Sequence, residues 1–328
     1  MKSTVPRSFV VVPALTFIAV LLSGSLVLVQ SSAAPQGALS QAAAGSGRGG
    51  GLGSGAAPVA YGDYTGFTQL FDGQTLTGWN GETDVWSIDN GAIHANTVKT
   101  PGQHHLRYIG PNAVMRDFDL KVEFRISATG ANGGIQYRSR LLMAPHKGSI
   151  ENPLGTLMPS GITTFAAAVQ AGLAERVPAR GNARGGGTPS SNPTQGFQNP
   201  WQVSGYQFDL DSENRYTGGL YEGQGRGIVN LPGGIAMLLP ERRLQRVGVA
   251  TTTPAAAVKP HLGLDGEWQQ VEIIARGNTL IHIVNGQVIT VSVDEDPASR
   301  APQGILSLQL EGSGQVWYRN VYVKHLPQ

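Results

Sequence analysis

The feature that most constrains the fold of this chain is a series of short strand-like runs separated by turn-forming dipeptides. Near the C-terminus the runs are Trp268–Arg276, Thr279–Val284 and Gln287–Val293, and they are separated by Gly277-Asn278 and Asn285-Gly286. Both dipeptides favour the positive φ that two-residue hairpin turns need. The sequence therefore predicts an antiparallel meander of three strands here.

The same pattern extends over most of the chain. Asn90-Gly91 joins two further runs, Gly304–Leu310 and Gln315–Leu326 add two more, and Asp119–Ile126 alternates so strictly that one face holds Leu120, Val122, Phe124 and Ile126. Glycine is abundant, at 45 of 328 residues, and it stands mainly between these runs. Many short strands with little helical periodicity predict an all-β fold for 59–328, an antiparallel two-sheet β-sandwich of the jelly-roll type.

Two stretches of the chain do not fit this pattern. Residues 35–58 are rich in Gly, Ala and Ser and predict a flexible linker, and residues 141–200 predict a long irregular insertion. Within the insertion, Thr163–Arg176 has the composition and length of a helix of about three turns. A connection of this length in a compact domain is usually either functional or disordered.

The N-terminus carries the pattern of an export signal. Lys2 and Arg7 precede an apolar stretch, Phe9–Val29, and the small residues Ser31–Ala34 follow. This order is typical of a secretory signal peptide, although an uncleaved membrane anchor is the alternative because about 20 apolar residues can span a bilayer. We therefore expect 1–34 to be a signal peptide or anchor, and the protein to be exported: periplasmic, secreted or membrane-tethered.

Charge and cysteine content exclude several classes of function. The chain has 24 Lys and Arg against 22 Asp and Glu, a net charge of +2, and no basic run interleaved with aromatic residues. This balance argues against a nucleic-acid partner. With no Cys in the chain, disulfides, thiolate zinc sites and a cysteine nucleophile are excluded. His104-His105 is only a weak metal motif, because adjacent strand residues face opposite ways.

A set of motifs in a fixed order gives a more specific indication. It comprises Phe67–Gly73 (FTQLFDG), Leu76–Trp79 (LTGW), Trp86–Ile93, Asp117–Leu120, Asn132–Arg138 (NGGIQYR), Gly205–Asp209 (GYQFD), Gly218–Tyr221, Asn285-Gly286, Gly304–Gln309 and Tyr318–Val321. In this order the chain resembles the 3-keto-disaccharide (3-keto-glycoside) hydrolase domain family of the concanavalin A-like lectin/glucanase superfamily. It departs from the commoner family text at Gln207, Asp209 and Glu311, where that text has Glu, Gln and often His.

The resemblance implies a concanavalin A-like jelly roll that acts on an oxidised glycoside. A ketone at C3 of a sugar acidifies the C2 proton, so a base can form an enolate and the glycosidic oxygen can leave from C1 before water adds. This chemistry needs a base, an acid and a group that stabilises the enolate oxygen. Catalytic candidates are Asp209 or Glu222 as base, Glu311 as acid or orienting group, and Arg138 or Arg226 as the stabilising cation. No cofactor is required with certainty, and a divalent metal ion could take the arginine's place.

Strand alternation gives the orientation expected of each candidate. Gln207 and Asp209 lie opposite Tyr206, Phe208 and Leu210, so they should point away from the core. Gln309 and Glu311 should do the same on their strand. His282 alternates with Ile281 and Ile283 and is also expected to leave the core. The substrate-binding candidates are Gln207, Tyr221, Arg226, His282, Gln309 and Trp268.

Two alternatives to this enzyme remain open. Asp209–Glu213 (DLDSE) echoes the acidic strand motif of laminarinase-like endoglycosidases. The jelly roll also hosts non-catalytic carbohydrate-binding or adhesion modules, and fold does not by itself imply function. In each case the expected ligand is a carbohydrate, and a membrane partner is expected only through an uncleaved N-terminal segment.

Overall fold

The computed structural model of the protein describes residues 61–127, 130–142, 165–174, 201–249 and 266–327. The predicted N-terminal segment 1–34, the linker 35–58 and most of the insertion at 141–200 lie outside the described residues, and these assignments stay predictions. In the described part of the chain, no helix is long and apolar enough to cross a membrane.

The described residues form strands almost throughout. In chain order the strands are β1 (Thr68–Gln69), β2 (Trp79–Asn80), β3 (Trp86–Asp89), β4 (Ala92–Asn96), β5 (Gly102–Tyr108), β6 (Phe118–Ile126), β7 (Ala131–Leu141), β8 (Val203–Asp211), β9 (Leu220–Gly223), β10 (Gly227–Asn230), β11 (Gly234–Leu239), β12 (Arg243–Val249), β13 (Gln269–Arg276), β14 (Thr279–Val284), β15 (Gln287–Asp294), β16 (Ile305–Gly312) and β17 (Gln315–His325). A short helix, α1 (Phe165–Gln170), falls inside the predicted helical stretch, and a 3-10 turn covers Pro240–Arg242.

The strands form two sheets, as predicted. The ten-stranded sheet has the order β12-β11-β15-β14-β13-β6-β17-β4-β3, with β1 also paired to β17, and the seven-stranded sheet has the order β10-β9-β8-β7-β16-β5-β2. Neighbouring strands are antiparallel except for β11 and β15, which pair in parallel. The fold class is therefore the predicted antiparallel two-sheet β-sandwich.

The predicted hairpins are present at the positions of the turn dipeptides. Asn285 and Gly286 join β14 to β15 with φ of 46° and 80°, and Asn90 and Gly91 join β3 to β4 with φ of 49° and 78°. Asn and Gly tolerate this left-handed backbone, which matches the twist of the flanking strands. The meander β13-β14-β15 is thus confirmed.

The core lies between the two sheets and is built by strand alternation. On β6, Leu120, Val122 and Phe124 are buried, and Ile126 at the strand end is partly buried against the same cluster. The seven-stranded sheet contributes alternate residues of its central strands, including Tyr206, Phe208 and Leu210 of β8, all of which are buried. Burying each such side chain contributes about 1.5–3 kcal/mol. With these residues turned inward, the intervening residues of β8 lie on the opposite face of the seven-stranded sheet.

Candidate functional site

The face of the seven-stranded sheet that points away from the core carries a continuous set of polar side chains, here called the polar face. It comprises Asn80, His105, Arg107, Gln136, Gln207, Asp209, Tyr221, Ser307, Gln309 and Glu311. Strand register explains why they meet. One row across the sheet runs Gln207, Gln136, Ser307, Arg107 and Asn80, and the next runs Asp209, Gly134, Gln309 and His105.

Asp209 is the most perturbed carboxyl group of the polar face. Its exposed fraction is 8%, and this burial, reinforced by the charges of Asp211 and Glu311, raises its pKa to about 8. A hydrogen bond from Gln207 Nε2 at 3.1 Å to Asp209 Oδ1 opposes the shift without cancelling it. A carboxyl group with this pKa is mostly protonated at neutral pH, so Asp209 can donate a proton.

Glu311 and Tyr221 complete an acidic end of the polar face with Gln207, Asp209 and Gln309. The side-chain amide of Gln309 donates to Glu311 Oε2 at 3.4 Å, and Glu311 is partly exposed. Burial and the nearby charges of Glu311 and Asp209 raise the pKa of Tyr221, which therefore keeps its hydroxyl proton. The acidic end thus offers a protonated acid, a second carboxyl group and a neutral hydroxyl donor.

Gln207 lies flat across the sheet because its neighbour on β7 is a glycine. A Cβ atom at Gly134 would lie 2.4 Å from Gln207 Cγ, closer than real contacts allow. In this position Gln207 Nε2 donates to Gly133 O at 3.2 Å as well as to Asp209. Its Oε1 is buried and has no hydrogen-bond partner within the described ranges. A sugar hydroxyl is one donor that would satisfy it.

His105 is a neutral acceptor on β5, paired in register with Gln309 of the acidic end. Its Nδ1 lies 3.0 Å from Gln136 Oε1. Because an amide oxygen only accepts, Nδ1 carries the proton and Nε2 is left with a free lone pair. Burial lowers the pKa of His105 to about 3, and no described residue hydrogen-bonds to Nε2.

Arg107, Asn80 and Ser307 form the basic end of the polar face. Arg107 Nη2 donates to Asn80 Oδ1 at 2.8 Å, and its guanidinium carbon lies 5.0 Å from the centre of the Trp201 ring. All three residues of the basic end have an exposed fraction of 0%. Even so, in the described part of the chain, Arg107 Nε and Nη1, Asn80 Nδ2 and Ser307 Oγ lack hydrogen-bond partners. Buried polar groups are normally satisfied, so such a concentration on one surface marks a ligand site.

The sequence analysis did not identify His105 and Arg107 as site residues. The signal that could have found them is the alternation of β5, where both share one face and Leu106 and Tyr108 occupy the other. His104, the first residue of the pair that suggested a metal, instead binds Glu82 and Thr100 O. Among the described residues, no group of three or more His, Asp or Glu side chains is placed to hold a metal ion.

Arg138 does not reach the polar face, contrary to expectation. The register of β7 shifts between Tyr137 and Arg140, and Arg138 sits in this bulge with a φ of 47°. Its side chain donates to Arg116 O and Gly277 O, both at 2.7 Å, and to Asp117 Oδ1 at 3.1 Å. Arg138 therefore ties together two segments, Arg116-Asp117 and the turn at Gly277, and has no role in this site.

Glu222 and Arg226 also lie away from the polar face. Glu222 pairs in register with Tyr206, whose side chain faces the core. Glu222 binds Arg226, which in turn donates to both carboxylate oxygens of Asp294, at 3.1 and 2.5 Å. These residues form a buried ion-pair network rather than the predicted catalytic base and enolate-stabilising cation.

The expectation that His282 leaves the core is wrong. Its exposed fraction is 1%, its Nδ1 lies 3.0 Å from Gly218 O, and its Nε2 accepts from the Tyr137 hydroxyl at 2.8 Å. Burial lowers the pKa of His282 to about 4, so it is neutral inside the sandwich. It is the flanking Ile281 and Ile283 that face outward and are partly exposed.

Trp268 and the acidic strand motif are likewise not part of the site. Trp268 precedes β13 of the ten-stranded sheet, where Arg319 and Arg125 lie 4.0 and 5.2 Å from its ring centre. Asp211 accepts hydrogen bonds from the backbone amides of Glu213 and Arg215 and so fixes a turn. The side chain of Glu213 is exposed. The arrangement that a laminarinase-like enzyme requires is therefore not assembled.

Comparison with known protein families assigns the chain to one of them. A family model described as the 3-keto-alpha-glucoside-1,2-lyase-like domain matches residues 66–163 and 188–324. The chain belongs to this family. The matched residues include both ends of the polar face, and the unmatched residues 164–187 fall inside the predicted insertion. Family membership makes this a carbohydrate-active protein, either glycosidase-like or carbohydrate-binding.

Solved structures give more distant similarities. A candidate glycosyl hydrolase from Parabacteroides distasonis is 15% identical over 80% of this chain and 95% of its own, with a TM-score of 0.39. A carbohydrate-binding module of Bacillus subtilis, CBM66, is 9% identical over 75% and 95%, with a TM-score of 0.38. A Bacillus subtilis protein of unknown function with a galectin-like fold is 11% identical over 79% and 94%, with a TM-score of 0.42. No curated protein sequence matches the chain.

Proposed function

We propose that the protein cleaves the glycosidic bond of 3-keto-glycosides on the polar face, with the acidic end as the reaction centre. The observation that carries the proposal is the protonated, buried Asp209 beside Glu311 and Tyr221. Family membership supports the substrate class. The three groups meet the requirements of elimination: a proton donor, a base and a donor to the enolate oxygen.

The sequence of bond changes follows from these roles. The carboxylate of Glu311 removes the C2 proton, and the electron pair forms an enolate whose O3 accepts a hydrogen bond from the Tyr221 hydroxyl. As the C1–O bond breaks, Asp209 gives its proton to the leaving glycosidic oxygen, and a C1–C2 double bond remains. Water then adds across this bond: its hydroxyl joins C1 while Asp209 takes up its second proton, and Glu311 returns its proton to C2, so both carboxyl groups regain their starting states. The roles of Asp209 and Glu311 are reversed from those expected, because burial keeps Asp209 protonated.

The test compares two leaving groups. The purified protein is incubated with methyl and 4-nitrophenyl 3-keto-glucosides and with the unoxidised parents of both. We expect release only from the keto sugars. D209N should slow cleavage of the methyl 3-keto-glucoside by about 10²–10⁴-fold, the usual contribution of a general acid. It should slow cleavage of the 4-nitrophenyl 3-keto-glucoside far less, because nitrophenolate leaves without protonation.

Two further variants complete the design. E311Q should slow both keto-glycosides, since proton removal from C2 precedes departure of either group. E213Q changes an exposed Glu outside the site and should leave both rates unchanged. Release from neither keto sugar, or an equal effect of D209N on the two, would overturn the proposal.

A carbohydrate-binding module is the second candidate function. The specific observation in its favour is the number of amide side chains on the polar face, which includes Asn80, Gln136, Gln207 and Gln309. Amides orient sugar hydroxyls without needing an acid or a base. Tight binding of the unoxidised parent, with no release from the keto sugar, would favour this candidate.

We also propose that the protein is exported, on the strength of the N-terminal pattern described above. Fractionation of cells that produce the full chain tests this: it should be recovered outside the cytoplasm, and recovery in the cytoplasmic fraction would contradict the proposal.

A further inference from the structure

The basic end of the polar face contains a buried positive charge that lacks a counter-ion among the described residues. Arg107 has an exposed fraction of 0%, and no carboxylate among the described residues forms a salt bridge with it. Glu82, whose charge acts on Arg107, is paired with His104 instead. An isolated buried charge is costly, and native proteins normally pair it. Something outside the described chain is therefore needed to balance it.

The contacts of Arg107 leave part of its hydrogen-bonding edge open. Trp201 lies near the guanidinium at 5.0 Å, and Nη2 donates to Asn80 at 2.8 Å. Nε and Nη1 have no partner among the residues that the structure describes. An arginine presents its N–H groups in a planar fork suited to carboxylates. Asn80 Nδ2 and Ser307 Oγ, also unpartnered and buried, add two neutral donors.

The charge balance and the donor geometry define the ligand. One cation surrounded by neutral donors is matched by a monoanion, and a planar guanidinium favours a planar acceptor. We propose that the basic end binds a carboxylate group carried by a sugar of the glycoside, so that the substrate contains an acidic sugar residue. The glycoside part of this inference rests on the proposed function, whereas the anion-binding part does not.

The position of the basic end separates it from the bond that is cleaved. Arg107 lies on β5 and Asp209 on β8, with β16 and β7 between them. Three strand spacings correspond to about 14 Å across the sheet. The carboxylate is thus a recognition element at some distance from the reacting carbon atoms. Neutral His105, on the same strand as Arg107 and paired in register with Gln309, adds a hydrogen-bond acceptor.

Binding of non-reacting sugars tests this inference separately from catalysis. Calorimetric titrations of the purified full chain with D-glucuronate and with D-glucose should give at least a 10-fold preference for glucuronate. R107Q should abolish the preference. R276Q removes the same charge from an exposed position on β13 and should keep it. Because neither sugar carries a C3 ketone, a failure of the cleavage experiment leaves this result unaffected.

A second variant covers the case in which R107Q does not fold. N80D places a carboxylate 2.8 Å from Arg107 Nη2 and supplies the missing counter-ion internally. It should fold at least as stably as the wild type and bind glucuronate and glucose equally. Equal affinities in the wild type, or a preference that survives in N80D, would overturn the proposal.

Control titrations with acetate and sulfate distinguish the source of the anion. We expect both to bind much more weakly than glucuronate. Arg107-dependent binding of acetate as tight as that of glucuronate would identify a site for a free anion, and tighter binding of sulfate would identify a tetrahedral anion site. Either result would contradict recognition of a sugar carboxylate.

Discussion

Because Asp209 is protonated in the folded protein, the free energy of unfolding should fall as pH rises, and the size of this fall can be worked out. An Asp has a pKa of 3.8 in its unperturbed state, whereas burial holds Asp209 near 8 in the folded protein. Between these values the folded state binds a proton that the unfolded state has lost. Stability from this group is therefore complete below pH 3.8 and is lost as pH rises through 8, at about 1.4 kcal/mol per pH unit.

The substitution D209N removes this titration while keeping the shape of the side chain. The free energy of unfolding, measured by urea denaturation at pH 5, 6, 7 and 8, should change differently in the two proteins. Over this range the wild type should lose about 3.5 kcal/mol relative to D209N. D84N, which makes the same change at an exposed position, controls for effects on the unfolded chain.

The opposite outcome would be equally clear. A difference between wild type and D209N that stays constant from pH 5 to pH 8, or grows in favour of the wild type, would show that Asp209 is ionised in the fold. It could not then act as the proton donor, and the assignment of acid and base at the acidic end would be wrong.

Three further predictions concern the scaffold. Burial lowers the pKa of His282 to about 4, so the protein should lose about 3 kcal/mol of stability as pH falls from 6.5 to 4. Thermal melts of H282Q should lack this loss, and the same loss in H282Q as in the wild type would contradict the prediction. G304A places a Cβ 2.3 Å from the backbone carbon of Arg138 and should lower the free energy of unfolding by about 3 kcal/mol or more. G62A, whose Cβ would have nothing within 4 Å, should shift the urea midpoint negligibly, and equal effects of the two variants would refute the packing argument. D294N removes a partner of buried Arg226 and should cost about 3–5 kcal/mol in the same assay, and a cost below about 1 kcal/mol would show that the network is not important for stability.

Much of the fold and the acidic end followed from strand alternation. The apolar residues of β8 and β16 are unambiguous, so the faces of Gln207, Asp209, Gln309 and Glu311 could be assigned from the sequence. The hairpin dipeptides likewise fixed the β13-β14-β15 meander. In these segments a single local pattern decides the structure.

The errors arose where local patterns were ambiguous. In β14 both sets of alternating positions contain apolar residues, so alternation alone does not show whether the face of His282 or the face of Ile281 and Ile283 is buried. Arg138 lies in a bulge, and an extra residue in a strand turns a side chain away from its expected face. Glu222 and Arg226 are held by Asp294, a residue distant in sequence, and only the three-dimensional structure brings the three together.

The central claim is that carbohydrate binds to the polar face of the seven-stranded sheet, and tryptophan resonances test it most directly. The chain has five Trp residues: Trp201 lies beside Arg107 at the basic end, and Trp268 and Trp317 contact arginines on the ten-stranded sheet. When D-glucuronate is added to ¹⁵N-labelled protein, the indole signal of Trp201 should shift and those of Trp268 and Trp317 should stay in place. A shift of Trp268 or Trp317 with Trp201 unchanged would contradict the claim.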